Sequence, residues 1–139
     1  MNKVLLLILI VTIISYIIDI KNNNCKHNND KVKQYAFYLF LLIHHFVAAI
    51  LYLGWLSNNK SFLLFYLIFL SLVLTDWCID DLKCILTEII NTYCGNDERE
   101  PFHDLFYLIG LKRTNYYSPF IYLYLLFTFV ISLVKIFYL

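Results

Sequence analysis

Polar residues divide the chain into four long apolar stretches. Val4–Ile20 is closed by Asp19 and Lys21, Tyr35–Leu56 runs almost unbroken, Ser61–Ile79 follows a short polar turn, and Pro119–Leu139 ends the chain. A bilayer-spanning helix needs roughly 20 apolar residues, and these four meet or approach that length. Ser118 and Pro119 suit the N-cap and first turn of the last one. Tyr35, Tyr38, Tyr52, Trp55, Trp77, Tyr116 and Tyr117 gather near the predicted ends, where an apolar ring with a polar tip fits the headgroup layer.

The connections differ in kind. Ser57–Lys60 is short and predicts an antiparallel hairpin of the second and third spans. Residues 21–34, KNNNCKHNNDKVKQ, are rich in asparagine and poor in apolar residues, which predicts a polar loop. In the segment 80–118, Ile79, Leu82, Ile85, Leu86, Ile89, Ile90 and Tyr93 recur at helical spacing along one face, with Gly95 as a stop. A second run opens at Pro101 and sets Phe102, Leu105, Phe106 and Ile109 on one face. Amphipathic helices of this kind lie in the membrane interface or dock on the ends of spans. The fold class predicted is therefore all-α and integral to a membrane. It comprises four transmembrane helices and a short amphipathic, interfacial segment between the third and fourth, in one domain covering 1–139.

Composition strengthens this reading. The chain is 61% hydrophobic and only 15% charged, where a soluble domain carries about 25% charged residues. A domain of 139 residues cannot hide that much apolar surface within itself, so the lipid bilayer is the expected partner. A net charge of +1 supplies no field to attract nucleic acid. The bias toward Ile, Asn, Lys, Phe and Tyr over Gly, Ala, Arg and Pro points to an AT-rich genome such as that of a large DNA virus, a parasite or an endosymbiont. Lys3 and the first apolar run resemble a signal peptide, but no small-residue cleavage pattern follows, so the run is read as a retained anchor.

Four spans place the N-terminus, the 57–60 turn and the C-terminus on one side, with Lys3, Lys60 and Lys135. The other side carries Lys21, Lys26, Lys31, Lys33, Lys83, Arg99, Lys112 and Arg113. The positive-inside rule then sets loops 21–34 and 80–118 in the cytoplasm, although Lys3 ahead of the first span favours the reverse. Cys25, Cys78, Cys84 and Cys94 all fall on that loop side. They stay thiols in a reducing compartment and can pair in an oxidising one. Cys78 and Cys84 would point about 240° apart on one helix, so pairing has to cross loops, for instance from Cys25 to Cys94. With His27 and His103 these cysteines are zinc-type ligands, but their spacing lacks the close pairs of structural zinc sites, and no metal site is predicted. The absence of a C-x-x-C pair also argues against a thiol oxidoreductase.

His44 and His45 fall in the middle of the second span, where ionisable groups are functional candidates by default. Neutral imidazoles can bond helix to helix, relay protons or line a pore, or ligate haem. Haem needs a facing histidine that no other span carries, except through a second copy of the chain. Counted outward from the turn, His44 and Asp76 differ in depth by roughly 4.5 Å, which makes Asp76 a candidate partner of the histidine pair. No nucleophile elbow, phosphate loop or H-E-x-x-H cluster is present, so no catalytic residue is assigned and no cofactor is expected. Asp80 and Asp81 of DWCIDD read as the wet face of an emerging helix.

Trp77, followed by Cys84-Ile85-Leu86-Thr87 after an apolar span, resembles a stretch found in small multi-pass membrane proteins of bacteria and large DNA viruses. Glu88 follows Thr87 directly, and Ile90 stands where those proteins have the acid. The resemblance implies a few helical spans and transfers no chemistry. The function expected is a non-enzymatic structural or assembly component of a membrane, with a second copy or other membrane proteins as helix partners. The alternatives are an oligomeric proton or ion pore using His44, His45 and Asp76, and a haem or redox membrane protein.

Overall fold

A computed structural model describes residues 3–22, 25, 30–79, 84–94 and 117–139. They form α1 (Lys3–Asn22), α2 (Lys31–Leu53), a 3-10 turn (Gly54–Leu56), α3 (Lys60–Ile79), α4 (Ile85–Cys94) and α5 (Tyr117–Tyr138). Four of the described helices are long and apolar enough to cross a membrane. The run from Pro101 to Ile109, the Asp80, Asp81 and Lys83 face, and Gly95, His27 and His103 lie outside the described residues.

Helix boundaries follow local chemistry. Asp30 caps α2: its Oδ1 accepts from the backbone N–H of Val32 (3.0 Å) and Lys33 (3.3 Å). Lys31–Gln34 are therefore helical rather than part of the predicted loop. Asn59 caps α3, accepting from the Phe62 N–H at 3.0 Å. α5 begins at Tyr117, so Ser118 lies within its first turn instead of capping it.

The helices pair as α1 with α2, α2 with α4, and α3 with α5, whereas α2 and α3 touch little beyond their shared turn. The predicted hairpin is thus a connection more than a packed pair. On α1 the buried residues Ile8, Thr12, Ser15 and Asp19 follow helical spacing and make one narrow stripe. The Thr12 and Ser15 hydroxyls donate back to the Ile8 and Thr12 carbonyls, so their burial leaves no lost hydrogen bond. On α2, Ala48 and Ala49 keep the side-chain layer thin, and small residues of this sort let helices approach closely in a membrane.

The C-terminal end of α2 poses an accounting problem. A helix that stops leaves carbonyls without intrahelical partners. Here other elements supply the donors. The Tyr66 hydroxyl of α3 donates to the Leu51 carbonyl at 2.9 Å and lies 2.9 Å from Oγ1 of Thr128 on α5. The Tyr124 hydroxyl of α5 donates to the Tyr52 carbonyl (2.8 Å), which also takes the Trp55 indole N–H (3.0 Å). The Lys135 ammonium, also on α5, donates to the carbonyls of Trp55 (3.0 Å) and Ser57 (2.7 Å). A cation is well placed at a helix C-terminus, where the backbone dipoles leave partial negative charge. These bonds fix the C-terminal end of α5 beside the 57–59 turn.

Gly54 completes this joint. A Cβ there would lie 2.7 Å from Cε2 of Tyr66 and closer still to Cδ2, and the Tyr66 ring is fully buried. Gly54→Ala should therefore lower stability by about 1–3 kcal/mol through overpacking. Tyr66→Phe, which strips one donor from the joint, should cost about 1 kcal/mol. Thermal unfolding of the purified protein in detergent measures both.

Candidate functional site

A fully buried polar contact joins α1 to α2. Nε2 of His45 lies 3.0 Å from Oδ2 of Asp19, and both side chains are fully buried. The contact is a hydrogen bond whose donor is set by the tautomer of the imidazole. Tyr16 meets the His45 ring edge-on at 6.3 Å from the α1 side, and His44 does so at 6.3 Å from within α2. His44 is itself buried.

The pair places the helices in register. From Asp19 to the end of α1 is about one turn, whereas from His45 back to the start of α2 is nearly four. At 1.5 Å per residue, and for antiparallel helices, α2 overhangs α1 by roughly 16 Å on this side. α4 fills the overhang. Ile90 and Cys94 of α4 form a buried cluster with Phe37 and Leu41 of α2, against which Tyr16 and Ile20 of α1 also pack. Tyr93 stacks on Phe40 with ring centroids 5.7 Å apart. A disulfide between Cys25 and Cys94, with Cα atoms 4.9 Å apart, ties the end of α4 to the segment that follows α1. Of the predicted greasy face, Ile90 and Tyr93 pack against α2, while Ile85 stays exposed.

Asp76 occupies a different place from the one its depth suggested. It is half-buried on α3, and among the described residues no hydrogen bond or ion pair joins it to His44 or His45. The reason is the packing order: α3 lies along α5, and α1 takes the position beside the histidines. Equal depth on two helices does not bring side chains together when a third helix intervenes in the pairing. Asp19 was the residue sequence reasoning missed. Beside Lys21 it looks like the polar end of a span. The signal that could have identified it is the run Thr12, Ser15, Asp19 at helical spacing, a polar stripe on an otherwise apolar helix.

Of the four cysteines, Cys25 and Cys94 are bridged, while Cys78 and Cys84 are free thiols. Cys78 is exposed and its sulfur lies 3.6 Å from the Tyr122 hydroxyl on α5. Trp77 packs against the central apolar cluster, with its indole N–H buried and unbonded among the described residues. No group of three or more His, Cys, Asp or Glu side chains suited to a metal ion occurs among the described residues. The chain matches no protein-family model, no curated protein and no solved structure.

Removing either side chain deletes a fully buried hydrogen bond between α1 and α2, so Asp19→Ala and His45→Ala should each lower stability by about 1–3 kcal/mol. Asp19→Leu combined with His45→Leu removes both partners of that bond at once and should recover much of that loss. A double-substitution cycle read by thermal unfolding in detergent measures the coupling; additive losses would show that the two side chains do not interact.

Proposed function

We propose that the protein is a multi-pass membrane component with a structural or assembly role and no enzymatic one. The observation that carries this reading is the use to which its polar groups are put. Asp19 is spent on His45, and Tyr66, Tyr124, Trp55 and Lys135 are spent on the chain's own carbonyls and hydroxyls. What the spans turn outward is apolar: Ile13 and Ile14 on α1, Phe65 and Ile68 on α3, Leu123 and Phe127 on α5 are all more than two-fifths exposed. Such surfaces suit lipid tails and other spanning helices. In this reading α4 belongs to the interfacial segment and rests on the overhanging end of α2.

A second reading has an observation in its favour. A buried Asp–His pair with a second imidazole beside it is the kind of group that carries protons through membranes, in this chain through Asp19, His45 and His44. For the loops 21–34 and 80–118, the excess of Lys and Arg supports a cytoplasmic setting, and the Cys25–Cys94 bridge supports the opposite one.

Reconstitution in liposomes loaded with a pH-sensitive dye separates the two functional readings. A structural role predicts proton flux equal to that of empty vesicles, with Asp19→Asn altering stability alone. Flux above that baseline, lost in Asp19→Asn and in His45→Ala, would overturn the structural role in favour of a proton pathway.

A further inference from the structure

We infer that Cys25 and Cys94 are joined in the cell, so that the face carrying α4 and Cys25 lies in an oxidising compartment, and the start of α1 and the end of α5 lie on the cytosolic side. The inference rests on the membrane-spanning reading and on neither functional role.

The pairing is built by packing that does not involve sulfur. Cys94 ends α4 and is 1% exposed, held in the cluster of Phe37, Leu41 and Ile90. The Tyr93–Phe40 stack fixes the adjoining turn. Cys25, three residues past the end of α1, packs against the same cluster. A Cα separation of 4.9 Å lies within the range that a disulfide requires. Cys78 and Cys84 stay free, so pairing follows position rather than mere abundance of thiols.

Chemistry then decides the side. The cytosol keeps thiols reduced, and bridges form and persist in lumenal, periplasmic or extracellular space. Forming this one removes two electrons and two protons from the chain. A dithiol–disulfide exchange catalyst in its disulfide form can accept them. The Cys25 thiolate attacks one catalyst sulfur and gives a mixed disulfide; the Cys94 thiolate then attacks the Cys25 sulfur, closes the bridge and releases the catalyst as its dithiol. Cys25 is the natural first nucleophile, because Cys94 is covered once α4 is seated.

Against this stand the eight Lys and Arg residues of the two loops. Their influence is a statistical bias, in which the first span usually dominates, and Lys3 precedes that span. The redox condition is chemical and applies to the finished protein.

The test uses the full chain in cells that possess a disulfide-forming compartment. Cells are quenched with acid and dissolved in denaturant containing N-ethylmaleimide, which blocks every free thiol, a covered Cys94 included. The protein is then reduced and tagged with a maleimide polymer that adds visible mass. Two tags are expected on the natural sequence, two on Cys78→Ser/Cys84→Ser, and none on Cys25→Ser. Orientation is read in sealed vesicles of known sidedness with an impermeant maleimide, in the Cys78→Ser/Cys84→Ser background. Lys21→Cys should react only from the non-cytosolic side and Asn58→Cys only from the cytosolic side. No tag on the natural sequence would overturn the bridge. Reaction of Lys21→Cys from the cytosolic side would overturn the orientation.

Discussion

The end of α2 governs the rest of the bundle. A helix that stops against an apolar bundle leaves carbonyls that a neighbouring aliphatic side chain cannot satisfy. Leu51, Tyr52, Trp55 and Ser57 present those carbonyls, and donors arrive from α3 and α5. Because α3 and α5 both bind the same turn, they are held against each other. Gly54 is required where the Tyr66 ring crosses the backbone, so the turn, the ring and the hydroxyl form one unit.

A second joint lies on the other side of α2. There the narrow stripe of α1 brings Asp19 to His45, and α4 covers the length of α2 that α1 leaves bare. The two joints explain why α2 is the most buried of the four long helices while the others keep apolar faces outward. α2 is the post to which α1 and α4 are fixed along one stretch, and α3 and α5 at one end.

Much of this architecture was legible in the sequence. Span number and limits followed from apolar length, and the start of α2 was missed only because Asp30 caps a helix opening on charged residues. The greasy face of 85–93 and the Cys25–Cys94 pairing were both within reach of spacing arguments. Helix adjacency was not. Depth along a span can be counted from a turn, but rotation and neighbour order arise from packing, and they moved the histidine partner from Asp76 to Asp19. Tyr66 and Tyr124 gave no signal at all: nothing in spacing marks a mid-helix tyrosine whose hydroxyl serves a backbone carbonyl of another helix.

The bridge between Cys25 and Cys94, 69 residues apart in sequence, has a topological consequence. It closes α2, α3 and α4 into a covalent ring from which α1 and α5 extend as tails. A single backbone cut in the 57–59 turn would therefore open the ring without dividing the molecule. α1 and α2 would remain on one fragment, α3 to α5 on the other, and the sulfur link would hold the two together until it was reduced.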